Sequence, residues 1–205
     1  LIFALLRKIP TANDTTHRGL WEKKKMKGNE LKGKKIGILG FGNVGKRVAE
    51  ISYALGMKVS IYSSYFNSIK DDFKNYDSSD LMNILSNSDI ISFHCKPNKD
   101  GSSIITKDEF KIIKKNCILV NTARGGLINE IDLIQALKNK TIKGAALDVF
   151  IKEPLENSRL FNLDNIILTP HIAASTDEAQ IVVAEMVANQ FCEYFKNNNI
   201  VNSIT

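Results

Sequence analysis

The amino-acid sequence predicts a doubly wound α/β domain of Rossmann type, a parallel sheet with helices on both faces. Three observations predict it. From residue 31 onward, short apolar runs rich in Ile and Val alternate with amphipathic stretches. The runs are near-continuous rather than alternating, which suits strands covered on both faces. The first of them leads directly into three closely spaced glycines, Gly40, Gly42 and Gly45. Strand–helix alternation of this kind is the signature of a parallel sheet.

Taken in order, residues 1–30 have an apolar start, a polar middle and a lysine cluster, and read as an inter-domain helix and connector. His17 falls on that connector. The predicted strands are Lys35–Leu39, Met57–Tyr62, Asp89–Phe93, Cys117–Val120, Gly144–Val149 and Asn165–Leu168. Residues 31–173 form the predicted dinucleotide-binding domain. Within it, Val44, Val48, Ile51 and Leu55 make one apolar stripe at helical spacing, and Gly56 is placed to end that helix. Leu133, Ile134 and Leu137 mark a second helix with Asn129 as N-cap. A third is expected from Ser175, with Glu178 completing a capping box, to about Lys196. Residues 174–205 therefore read as a separate C-terminal helix. Its apolar positions Ile181, Ala184, Ala188 and Phe191 call for a packing partner.

The glycines carry the first functional signal. Gly40-Phe41-Gly42-Asn43-Val44-Gly45 follows a strand and opens a helix, the context that dinucleotide binding needs. Gly40 suits a tight turn, Gly42 a close backbone approach to a pyrophosphate, and Gly45 close helix–sheet packing. The free N–H groups of Asn43, Val44 and Gly45 would face the diphosphate. The second strand of an NAD domain usually ends on an acidic residue that holds the adenine ribose. Here that position is Ser63, followed by Ser64. NAD is the expected cofactor, with NADP open because no carboxylate stands there.

Composition narrows the class. A chain 43% hydrophobic and 24% charged can bury a sizeable core. No run reaches the roughly 18 apolar residues of a membrane span. The net charge of +6 is met by one dense basic stretch, Lys23-Lys24-Lys25-Met26-Lys27, with no aromatic platform beside it, so no nucleic-acid partner is expected. Cys95, Cys117 and Cys192 have no metal-ligand spacing and read as reduced thiols of a cytoplasmic protein. No metal site is expected. No tyrosine has lysine four residues later, which argues against short-chain reductases, and methyltransferases share the glycine loop only.

Three further segments fall at carboxyl ends of predicted strands. They are Asn121-Thr122-Ala123-Arg124-Gly125-Gly126, Ala145-Ala146-Leu147-Asp148-Val149-Phe150 running on to Glu153-Pro154, and Thr169-Pro170-His171-Ile172-Ala173-Ala174-Ser175-Thr176. With the glycine loop, in this order and spacing, they resemble the D-isomer-specific 2-hydroxyacid dehydrogenases from about Leu5 to Asn202. Trp21-Glu22, Gly28-Asn29-Glu30-Leu31 and the run from Ala174 to Gln180 are most similar to the D-3-phosphoglycerate dehydrogenase branch.

The resemblance implies hydride transfer between a nicotinamide cofactor and a D-2-hydroxy acid. D-3-phosphoglycerate is the first expectation; glyoxylate, hydroxypyruvate or D-lactate would be served by the same residues. It implies Arg124, Glu153 and His171 as catalytic: His171 as general base, Glu153 on its other ring nitrogen, and Arg124 as a planar fork for the substrate carboxylate. It also implies cofactor contacts from Ser63, Thr122, Ala123, Arg124, Asp148 and His171 besides the glycine loop, with Asp148 receiving the nicotinamide carboxamide. His94 falls where the family lines its adenosine pocket. A homodimer is implied too, as is a substrate-domain segment preceding residue 1 onto which the C-terminal helix would return. The family also includes corepressors that use dinucleotide binding to control assembly, so a regulatory binding module is the alternative of another class.

Overall fold

The structure, a computed structural model, describes residues 1–202. These divide into two compact units, one ending at Pro170 and the other beginning at His171.

The first unit is built on one parallel sheet of seven strands in the order β3-β2-β1-β4-β5-β6-β7. The strands are β1 (Lys35–Leu39), β2 (Lys58–Tyr62), β3 (Tyr76–Ser78), β4 (Ile90–Phe93), β5 (Ile118–Asn121), β6 (Gly144–Leu147) and β7 (Ile166–Leu168). The chain winds outward from β1 to β3, then returns to lay β4 on the other side of β1. The carboxyl ends of β1 and β4 thus flank the switch point, where open sheets of this kind bind ligands. All six predicted strands form, with ends within one or two residues of expectation. The seventh, β3, has no apolar run to announce it. It is a three-residue edge strand held by register with Val59–Ile61 of β2.

The pleat divides the core into two layers. Ile36, Ile38, Ile90 and Ile118 point to one face, where Leu6, Leu31, Ala49 and Met57 join them. Leu39, Ile91, Phe93 and Leu119 point to the other, packing with Ile84, Phe110, Leu133 and Leu137. Residues 1–30 belong to the first layer. They form α1 (Ile2–Leu6), α2 (Ile9–His17) and a 3-10 turn at Lys23–Met26. Leu6 is buried and Leu5 lies against Gly144 of β6, so this segment packs into the same unit as the sheet. His17 is exposed at the end of α2.

The helix after the glycine loop, α3 (Asn43–Ala54), meets the sheet mainly through small residues. Of its apolar stripe, Val48 packs against the core, whereas Val44, Ile51 and Leu55 are exposed. The buried residues are Gly45, Ala49 and Ser52, while Val44 is 62% and Ile51 50% exposed. The reason is steric. A Cβ on Gly45 would fall inside contact distance of the Gly40 carbonyl oxygen, so the helix lies too close to β1 for large side chains on its inner face. Gly56 ends the helix as expected, at φ +77.

A short helix, α4 (Phe66–Ile69), lies between β2 and β3, and on the opposite layer lie α5 (Leu81–Asn87), α6 (Lys107–Ile112) and α7 (Glu130–Lys138). Asn129 caps α7 by accepting the Asp132 N–H at 3.1 Å. Leu133, Ile134, Ala136 and Leu137 are buried there. Asp89 joins strand starts on this sheet, accepting the Lys35 N–H at 2.9 Å and the Lys114 ammonium at 2.6 Å.

The second unit is dominated by α8 (Asp177–Asn197). Its N-cap is Thr176, which accepts the Ala179 N–H at 3.1 Å, and not Ser175. The hydroxyl that reaches an N–H three residues ahead does the capping, and that places the helix start one residue later. None of its residues is buried, Ile181, Ala184, Ala188 and Phe191 included. Among the described residues no helix is long and apolar enough to cross a membrane, and no group of His, Cys, Asp or Glu could hold a metal ion.

Candidate active site

The glycine loop is anchored before it offers anything to a ligand. Phe41, 1% exposed, packs edge-on against Phe66 at 4.7 Å and Phe73 at 5.0 Å. Its carbonyl accepts the Tyr65 hydroxyl, and the Gly40 N–H donates to the Tyr62 carbonyl at 2.8 Å. Gly40 turns at φ +96, where side chains are disfavoured, and a Cβ there would also strike the His94 carbonyl oxygen at 2.5 Å. By contrast, a Cβ on Gly42 would meet no atom within 4 Å. Gly42 is the N-cap of α3 and offers no side-chain cap, so the first N–H groups of Asn43, Val44 and Gly45 stay open toward the loop. Open space over unsatisfied donors at a 12-residue helix start fits a pyrophosphate.

A cleft of about 560 Å³ continues from this loop across the carboxyl ends of β1, β2 and β4. Gly40, Tyr62, Ser63, Ser64, Asp80 and Lys96 are among the residues lining it. Ser63 thus stands at the expected place, just past β2. Other clefts of similar size among the described residues lie away from these strand ends. His94 sits behind the loop rather than in the open. Its Nε2 is 2.8 Å from Ser92 Oγ, and burial pushes its imidazole pKa down to about 4, so it is neutral near pH 7. Cys95 beside it is half-buried, with its thiol pushed up by burial; Cys117 is buried and Cys192 exposed.

At the ends of β5, β6 and β7 the chain builds a polar shelf. Asn121 is 2% exposed, and its side chain clamps the loop that follows. Its Nδ2 donates to the Arg124 carbonyl at 2.9 Å and its Oδ1 accepts the Ala123 N–H at 3.0 Å. Thr122, Ala123 and Arg124 are thereby held in a fixed turn, with the Arg124 guanidinium exposed. Next to it, Asp148 is 1% exposed; its N–H donates to the Asn121 carbonyl, and its Oδ1 accepts the Thr169 hydroxyl at 2.5 Å. Glu153 follows on the next loop, its Oε1 accepting the Phe150 N–H at 2.9 Å, before a cis peptide bond to Pro154. The two loops pack directly on each other. A Cβ on Gly125 would occupy the position of the Phe150 carbonyl group, so only glycine allows this approach.

The first unit therefore brings Arg124, Asp148 and Glu153 to the same end of the sheet as the glycine loop. His171 opens the second unit, at φ +54, in the left-handed region uncommon outside glycine.

The family model for the D-isomer specific 2-hydroxyacid dehydrogenase NAD binding domain matches residues 1–173. The chain belongs to the D-isomer-specific 2-hydroxyacid dehydrogenase family. It is 38% identical over 205 residues to a D-3-phosphoglycerate dehydrogenase of Archaeoglobus fulgidus, covering 100% of this chain and 39% of that one. It is 37% identical to a glyoxylate reductase of Thermococcus litoralis, covering 98% of this chain and 64% of the relative. An acyclic imino acid reductase solved with NADPH and D-arginine superposes with a TM-score of 0.90 at 32% identity, over 100% of this chain and 65% of that one. The present chain thus spans well under half the length of the first of these relatives and carries the family's NAD-binding domain.

Membership of this dehydrogenase family makes the shelf residues worth ranking. Asn121 and Thr169 escaped the sequence reading as individuals, although both lie in the segments that carry the resemblance. The signal available was chemical: an Asn at a strand end readily bonds the backbone two or three residues on. Thr169 gave no such signal, because its partner Asp148 comes from a different strand.

Proposed function

We propose that this protein is a nicotinamide-dependent oxidoreductase of D-2-hydroxy acids, interconverting D-3-phosphoglycerate and 3-phosphohydroxypyruvate. The observation that carries the reading is the convergence of the open glycine loop and the Arg124–Asp148–Glu153 shelf on one end of the sheet, in a chain 38% identical along its whole length to D-3-phosphoglycerate dehydrogenase. The comparable identity to glyoxylate reductase supports glyoxylate or hydroxypyruvate as the second substrate reading.

Gly40, Gly42, Asn43, Val44 and Gly45 would bind the diphosphate, and Ser63 the adenosine end. Thr122, Ala123 and Asp148 would orient the nicotinamide, with Asp148 as the buried acceptor. The cofactor supplies the hydride acceptor. His171 takes the hydroxyl proton as the C2 hydrogen leaves as hydride, and returns it in the reverse direction. Glu153 holds the imidazole tautomer. Arg124 binds the substrate carboxylate and the oxygen that becomes a carbonyl, for which its fixed fork is better suited than a lysine. A homodimer goes with this reading, supported by the exposed Val44, Ile51 and Tyr53 on α3.

The test follows dinucleotide absorbance at 340 nm with a panel of 2-hydroxy and 2-oxo acids, 3-phosphoglycerate included. Turnover of one acid, lost in Arg124→Ala and His171→Ala, is the expected result. Tight dinucleotide binding with no turnover of any acid would favour the regulatory binding module instead.

A further inference from the structure

We propose that Thr169 is a positioning residue for the nicotinamide: its hydroxyl fixes the plane in which the Asp148 carboxylate accepts the carboxamide N–H. This rests on the reading of Asp148 given above and adds to it the group that aims the carboxylate.

An aspartate at a strand end is held by its backbone but not aimed by it. Its last torsion joins an sp³ carbon to an sp² carbon, and rotation there is broad. A carboxylate left to that torsion gives a ligand no fixed acceptor, and ordering it would weaken binding. The neighbouring strand supplies the constraint. Thr169 follows β7, and its hydroxyl lies 2.5 Å from Asp148 Oδ1. An ionised carboxylate has no proton to give, so the hydroxyl donates, and the distance is that of a charge-assisted bond.

Both ends of this bond are anchored independently. The Asp148 N–H donates to the Asn121 carbonyl at 2.9 Å, and the Thr169 N–H to the Leu147 carbonyl at 3.0 Å. These bonds continue the parallel pairing of β5 with β6 and of β6 with β7, whose last partners are Asn121 with Leu147 and Leu147 with Leu168. Asp148 is 1% exposed, which shields the pair from water. Branching at Cβ restricts Thr169 to few χ1 rotamers, a stiffness that serine lacks. The hydroxyl is thus a fixed donor, and it turns a loosely hinged carboxylate into a fixed acceptor.

The experiment compares calorimetric dissociation constants of the 205-residue chain for NADH and for ADP-ribose, which lacks only the nicotinamide. Their ratio isolates what the nicotinamide contributes, and NADH is expected to bind more tightly. Thr169→Val should weaken NADH by about tenfold and leave ADP-ribose within about twofold. Thr169→Ser should restore most of the NADH affinity. The reduced 3-acetylpyridine analogue, whose acetyl group has no N–H to donate, should bind the unaltered and valine chains alike. If the valine variant does not fold, Thr169→Cys, a weak donor of similar bulk, reads the same ratio. Equal weakening of NADH and ADP-ribose would reduce Thr169 to a structural role and overturn the proposal. Unchanged NADH binding in the valine variant would overturn it too, leaving the Asp148 reading intact. An unaltered chain that binds NADH no better than ADP-ribose would overturn both, and one that binds neither would also remove the dinucleotide reading.

Discussion

Two helices flank the same sheet and meet it in opposite ways. α7 presses Leu133, Ile134, Ala136 and Leu137 into the core and shows the sheet an ordinary apolar face. α3 turns Gly45, Ala49 and Ser52 inward, with Val48 only partly buried, and leaves Val44 and Ile51 outside. α7 answers only to packing. α3 must also bring its first turn up to the end of β1 while keeping its N–H groups open, and a small inner face is what allows that approach. The difference teaches that an apolar stripe marks the buried face only where nothing else dictates the distance between helix and sheet.

The comparison can be broken most severely on α7. Leu137→Ala removes a side chain 2% exposed and should cost about 2–5 kcal/mol, read as a lower urea midpoint with an unchanged slope. The next largest effect comes from acid, at the strand end beneath α3. His94 takes up its proton near pH 6.5 in the unfolded chain and only near 4 in the folded one. Stability is therefore full above about pH 6.5 and falls as the pH drops toward 4, by up to about 3 kcal/mol. Unfolding midpoints from pH 7.5 to 4.5 check this, and His94→Gln should flatten the slope in that window.

Gly45→Ala sharpens the contrast. Alanine would favour an isolated helix by about 1 kcal/mol. Here the methyl group meets the Gly40 carbonyl, so a net loss of about 1–3 kcal/mol is expected, with weaker dinucleotide binding by titration. Asn129→Ala removes the cap of α7 and should cost about 1 kcal/mol by thermal denaturation. The smallest effect belongs to the stripe itself. Ile51→Lys, at a position 50% exposed, should change the monomer's stability by no more than about 0.5 kcal/mol. A large loss there in dilute protein would mean that the residue is buried in solution, and sedimentation would tell whether a second copy covers it.

Much of the fold was legible because its signals are local. Continuous Ile- and Val-rich runs marked six strands, and the glycine spacing marked the loop between β1 and α3. Asn129 is both a sequence cap and a structural one. What escaped reading depended on neighbours. Tyr76–Ser78 becomes a strand only because β2 offers it an edge. Thr169 matters only because its hydroxyl meets Asp148 from the adjacent strand.

By itself the sequence determined the α/β class, the place of the dinucleotide loop and the segments from which Arg124, Asp148, Glu153 and His171 come, because periodicity, turn chemistry and motif order lie along the chain. Only the tertiary structure decided which face of α3 is buried, how Asn121 holds the Arg124 loop, and how closely Gly125 approaches the Phe150 carbonyl. Those are set by the surface each element meets, and the contacts that set them join residues far apart in the chain.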